Sequence, residues 1–260
     1  MSLGFRMSIR AELGEVAKVN AAMAEFVAAQ GLQASVRRSL HVVLDELLAN
    51  SAMHGLAGRE DGTVTVEAAV AAGRLTVTIR DNGTAFDPFA RAAPDTTLSV
   101  KDRPIGGLGI HLVQQLVDEV SYRRDDTWNV VGIVKRLEGN AGDGHRGDQA
   151  MQITTRTHDD VTIVAISGNL DSTTSPQAQQ ALDAVVAGGA RKIAIDFSQL
   201  DYISSAGLRV MLGTAKKLGA TGGGLHAFGL NQTVREVFDI SGFSAILHVF
   251  PSEAESRSGF

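Results

Sequence analysis

No cysteine occurs in the 260 residues. Disulfides and thiolate metal sites are therefore excluded, and the composition fits a reducing cytoplasm. A basic surplus is also missing. The formal net charge is -5, with -2 over residues 1–139 (15 Lys+Arg against 17 Asp+Glu) and -3 over the remainder (9 against 12). Neither half carries the cationic excess that phosphate-driven nucleic-acid binding requires. Long apolar runs are absent too: nothing approaches the roughly 18 to 20 residues needed to span a bilayer, and no signal-peptide pattern opens the chain. A soluble cytoplasmic protein without a membrane partner is expected. The seven histidines show no metal-ligand spacing.

What the chain does contain, 44% hydrophobic residues over its 260, suits two modest domains. A strand is predicted over 5–9, and helical spacing of apolar residues runs from Glu12 to Ala29, closed by Gly31. A second helix is predicted over Gln33 to Met53, then strands over Thr63 to Ala71 and Arg74 to Arg80 turned by Ala72-Gly73. Residues 84–107, with three prolines, read as a long irregular segment of the kind that serves as a lid. A helix over 108–117 and two strands, 119–124 and 128–137, complete this half. Gly139 to Gln149 is rich in glycine and charge and reads as a flexible linker. Such a coil has an r.m.s. span of roughly 15 to 20 Å. Strands and helices then alternate again: strands at 151–157, 161–167, 192–196, 222–228 and 246–250, helices at 175–186, 204–218 and 232–240. That alternation predicts a sheet flanked by helices. The expected divisions are 1–138, a linker over 139–150, and 151–260.

Three short patterns in the first half point to phosphate chemistry. Glu46 and Asn50 are four residues apart in the second helix, which stacks an acid on an amide on one face. That pair can hold a divalent cation and poise a hydroxyl for attack on a phosphate. Asp81-Asn82-Gly83 breaks the pattern at a strand end. Gly106-Gly107-Leu108-Gly109 opens a helix, where backbone N–H groups can approach a phosphate. Each is a weak signal alone; their order and spacing together are not.

Over about residues 8–138 these patterns resemble the GHKL ATP-binding superfamily, and more closely its anti-sigma-factor serine kinases. The resemblance implies an α+β two-layer ATP-binding sandwich of the Bergerat/GHKL type, its mixed sheet covered on one face by helices. It further implies ATP and Mg2+ as cofactors, with Glu46 as general base and Asn50 as the Mg2+ ligand. Asp81 would accept from the adenine amino group, Gly83 would let the base lie close, and Gly107, Leu108 and Gly109 would cradle the phosphates. Lys101 or Arg103 is expected near the γ-phosphate. His41 invites comparison with sensor histidine kinases of the same superfamily, but only 45 residues precede Glu46, too few for a separate dimerisation helix well before the domain. A packed helix residue is the expectation for His41.

In the second half, Asp201-Tyr202-Ile203-Ser204-Ser205-Ala206-Gly207-Leu208 lies between a strand and a helix. From physics alone a serine there is a helix N-cap. The stretch resembles the STAS domain of anti-anti-sigma factors over about residues 151–255, an α/β fold with a mixed sheet and flanking helices. That resemblance places the phosphorylated serine at Ser205, with Ser204 as a rival because it stands where the family often has aspartate. Together the two likenesses imply a partner-switching regulator: a Mg-ATP-dependent serine kinase or anti-sigma module fused to its STAS antagonist, acting in cis or in trans. Partners would be a sigma factor or anti-sigma and STAS regulators, a serine phosphatase, and a second copy in a homodimer. A non-catalytic, nucleotide-responsive interaction module is the alternative. An ATP hydrolase fits poorly, since only one small domain accompanies the first.

Overall fold

In α2 (Ala34–Asn50) every residue from Val42 to Ala49 is buried, including Asp45 and Glu46. Such a helix needs cover on all sides, and packing between α1 (Leu13–Ala29) and α2 supplies part of it. The computed structural model describes residues 4–10, 12–56, 59–90, 108–137 and 151–260. They form two compact units.

The first unit also contains β1 (Phe5–Arg10), β2 (Thr63–Ala71), β3 (Arg74–Asp81), α3 (Leu108–Leu116), β4 (Glu119–Asp125) and β5 (Trp128–Arg136). Its sheet order is β1-β2-β3-β5-β4. All four pairings are antiparallel, a correction to the mixed sheet expected for this half. For β2–β3 and β4–β5 the reason is local. Ala72 (φ 49°) and Gly73 (φ 69°) turn β2 into β3, and Asp126 (φ 53°) helps to turn β4 into β5. Such tight hairpin turns pair strands only in the antiparallel sense. Burial alternates along β3, hiding Leu75, Val77, Ile79 and Asp81 on one face. The helix expected to reach Met53 ends its α-helical part at Asn50, and Ser51–Gly55 continues as one wider π-helical turn, closed by Leu56 N–H donating to Ser51 O at 2.9 Å. Turns of this kind gather at functional sites.

The second unit runs β6 (Gln152–His158), β7 (Val161–Leu170), α4 (Ser175–Ala187), β8 (Lys192–Ile203), α5 (Ser205–Gly219), β9 (Gly224–Phe228), α6 (Gln232–Ile240), β10 (His248–Phe250) and α7 (Glu253–Ser258). Strand order is β10-β9-β8-β7-β6, antiparallel between β6 and β7 and parallel elsewhere, so this sheet is mixed as expected. Two findings differ from the sequence reading. Strand β8 continues to Ile203 instead of stopping at Asp196, and its register against β7 shifts between Ala165 and Ser167 and again between Gly168 and Asn169. Those slips break the alternation that marks a strand. The second is α7, a short polar helix held at its start by Ser252, whose Oγ accepts from Glu255 N–H at 3.3 Å and donates to Glu255 Oε1 at 2.8 Å. Ser252 is thus the N-cap of α7, and its hydroxyl also holds the Glu255 side chain.

Candidate functional site

The end of β3 delivers Asp81 to a buried position. Its Oδ1 accepts from Gly83 N–H at 2.9 Å and from Asn129 Nδ2 at 2.8 Å, while Oδ2 accepts from Ser51 Oγ at 3.1 Å. A carboxylate offers about four acceptor positions. Three are filled from within the protein, which leaves Oδ2 able to accept from a ligand amine. The turn after Asp81 is tied to the π-helical turn by Thr84 N–H donating to Gly55 O at 3.2 Å. Gly83 has no room for a side chain: a Cβ would lie 2.6 Å from Gly55 O and 2.8 Å from Asp81 Oδ1. So the helix that carries Asn50 and the turn that carries Asp81 are joined at Gly55 and Gly83.

Asn129, opposite Asp81 in the β3–β5 register, secures this turn from the other side. Its Nδ2 also donates to Thr84 O at 2.8 Å, and its Oδ1 accepts from Tyr122 Oη at 2.9 Å, Arg124 Nη1 at 2.8 Å and Phe86 N–H at 3.3 Å. Arg124 Nη1 donates as well to Gly83 O at 3.0 Å. This amide is buried with both its ends satisfied, the condition under which a polar group stiffens a site instead of weakening it. Sequence reasoning missed Asn129, Tyr122, Arg124 and Ser51. The one available signal was an amide inside the apolar run Trp128-Asn129-Val130-Val131.

Leu47, Asn50, Ser51, Gly55, Ile79, Asp81, Phe86, Pro88, Asn129 and Val131 enclose a cavity of about 20 Å³, room for about one water. Asn50 and Asp81 therefore meet at one pocket. Glu46 does not line it; it lies one turn earlier on α2 and is buried. At the start of α3, Leu108 is buried and Gly109 half-buried. Lys101, Arg103 and Gly107 lie outside the described residues. His41 is a half-buried residue of α2. No group of three or more His, Cys, Asp or Glu side chains among the described residues could hold a metal by itself.

In the second unit, Ser204 is the N-cap of α5, its Oγ accepting from Ala206 N–H at 3.2 Å, and its own N–H donates to Leu170 O at 2.9 Å. Ser205 is the first residue of α5 and 1% exposed. A Cβ on Gly207 would lie 2.7 Å from both Leu170 and Ile203, so a glycine lets this helix start press against the ends of β7 and β8. Beside it Asp171 Oδ1 accepts from Thr173 N–H, Thr173 Oγ1, Thr174 N–H and Thr174 Oγ1, and Oδ2 from Tyr202 Oη at 3.0 Å.

Residues 9–135 match the model of the histidine kinase-like ATPase domain, and residues 152–256 match that of the STAS domain. The chain is a histidine kinase-like ATPase domain followed by a STAS domain. Its STAS domain is similar to BtrV of Bordetella bronchiseptica, named as an anti-sigma factor antagonist: 40% identity over 110 residues, 42% of this chain and 95% of that protein. The ATPase domain is similar to the serine-protein kinase RsbW of Listeria monocytogenes, at 35% identity over 96 residues, 35% of this chain and 61% of that kinase. Among solved structures, an anti-sigma factor antagonist from Mycobacterium paratuberculosis matches 42% of this chain and 93% of its own, with 26% identity and a TM-score of 0.40. No helix of the described residues is long and apolar enough to cross a membrane.

Proposed function

We propose that the chain is a partner-switching regulator whose ATPase domain binds Mg-ATP and phosphorylates a STAS serine, Ser205 of its own chain or the equivalent in a partner. The observation that carries this reading is the Asp81 turn. A buried carboxylate with an acceptor position left, fixed by Ser51, Gly83 and Asn129 beside a cavity with apolar walls, suits the amino edge of adenine. The cavity must widen to admit a base, and Phe86 and Pro88 are the wall residues on the irregular segment. Mg2+ keeps most of its shell as water and phosphate and takes one or two protein oxygens. The amide oxygen of Asn50 fits that demand, and the metal would neutralise phosphate charge.

Glu46 would take the proton of the serine hydroxyl. The serine Oγ would then form a bond to the γ-phosphorus as the bond to the bridging oxygen breaks, and ADP would leave with that electron pair. Most of the acceleration in such a transfer comes from positioning and charge neutralisation. Likeness to a serine-protein kinase in one half and to anti-sigma factor antagonists in the other supports sigma-factor circuitry as the setting. A serine phosphatase would reset the switch, and the kinase half is proposed to work as a homodimer. Phosphate on Ser205, which is 1% exposed before modification, would add about -1.5 to -2 charge at the start of α5, so the helix start has to open to admit it, and a partner packed over that start would be repelled.

Glu46→Gln separates binding from transfer. With labelled ATP the wild-type chain, or an added STAS substrate, is expected to gain label. The variant should lose at least about 100-fold of that rate while calorimetry still shows Mg-ATP bound. Equal labelling by both would remove Glu46 from the mechanism. ATP bound by the wild type with no label on any STAS serine would favour the non-catalytic reading.

A further inference from the structure

One cation in the STAS domain has an arrangement that its fold does not explain. Arg209 lies one turn after Ser205 on α5 and is half-buried. Its Nη2 donates to Ser205 Oγ at 3.1 Å and its Nε donates to Ser205 O at 3.3 Å. Among the described residues it makes no ion pair with a carboxylate, and the first turn of α5 has no acidic side chain. A guanidinium is a strong ligand for an oxyanion and a costly group to shield from water without one. Among the described residues its side-chain hydrogen bonds go to one neutral serine.

We propose that Arg209 is the phosphate-holding residue of the STAS domain: once Ser205 carries a phosphate, the guanidinium that now caps its hydroxyl pairs with the phosphate oxygens. This rests on the reading of Ser205 as the acceptor. The geometry also separates the two serines. Ser204 spends its hydroxyl on the helix cap and receives nothing from Arg209, whereas Ser205 stands four residues before it, the spacing at which helical side chains meet. Two further effects follow. Because Arg209 covers the Ser205 hydroxyl, it has to swing aside for transfer. Afterwards it holds the phosphate against the start of α5, where the helix dipole also favours negative charge.

The test places phosphoserine at position 205 of the full chain during translation, so that no kinase step is needed, and follows its phosphorus resonance against pH. An opposite charge in contact favours the dianion, so the phosphate in the wild-type background should titrate about one unit below the ordinary value near 6. In Arg209→Gln the midpoint should return to about that value. Arg209→Lys, which keeps the charge without the fork, should fall on the wild-type side of Arg209→Gln. Unchanged melting of each chain before modification shows that the fold is intact. The same midpoint in all three chains overturns the proposal. A failed transfer assay would leave this titration untouched, and an unmoved titration would leave the kinase reading untouched.

Discussion

At Gly83 the fold allows a hydrogen atom and nothing larger. A methyl there would meet the Gly55 carbonyl oxygen and the Asp81 carboxylate, neither of which can yield without opening the junction between α2 and the turn. Gly83→Ala is expected to cost about 1–3 kcal/mol of stability, the usual range for overpacking. It should also weaken Mg-ATP binding more than that loss alone would. Urea unfolding and calorimetry on the same preparation check both, and an unchanged nucleotide affinity would mean that the turn takes no part in binding. The proposals for Glu46, Asn50, Asp81 and Gly83 come from local signals, an i, i+4 pair and a three-residue turn; the structure brings Asn50 and Asp81 to one pocket and leaves Glu46 off it. Asn129 was not, since its meaning depends on partners up to 48 residues away, brought opposite by the β3–β5 register. Arg209 was hidden for a different reason. An arginine on an amphipathic helix is ordinary until the structure shows which hydroxyl it faces.

Most elements announce themselves by period, and the exceptions have identifiable causes. Register shifts against β7 interrupt the second half of β8, and α7 is too short and polar to carry an apolar stripe, although Ser252-Glu253-Ala254-Glu255 has the sequence spacing of a capping box. Beyond α7 the chain ends on Phe260, whose ring stacks on His226 of β9 at 3.6 Å between centroids and 10° between planes. Ser256 O lies 2.8 Å from His226 Nδ1, and His248 of β10 stacks on the same ring. Burial lowers the pKa of His226; the Ser256 carbonyl raises it in part and His248 lowers it further, leaving it below the ordinary histidine value of 6.5. The unfolded chain therefore binds the proton more readily than the folded one. Stability from this group is complete above about pH 6.5 and declines as pH falls below it, toward the folded value. Denaturant midpoints of the STAS half should drop on acidification through that window, and His226→Phe should flatten the part of the slope that the imidazole causes. An identical slope in the variant would assign the pH response to other groups.

For the whole molecule, the composition excluded disulfides and gave no basis for phosphate-driven nucleic-acid binding, and two units with different sheets follow from two different rhythms of strand and helix. The Ala72-Gly73 turn made the antiparallel β2–β3 pair legible, but the β1–β2 and β3–β5 pairings join strands that no tight turn connects, so their sense could not be read from the sequence. Residues 138–150 lie outside the described residues, and transfer within one chain is part of the proposal alone. The account as a whole predicts a route from ATP to one hydroxyl. Incubating the chain, alone and with a separate copy of its STAS half, with Mg-ATP and locating the phosphate by peptide fragmentation tests that route most directly. Phosphate on Ser205, lost in Ser205→Ala and retained in Ser204→Ala, is the predicted result. Phosphate on Ser204, or none on either serine or on an added partner STAS protein while ATP is bound, would contradict it.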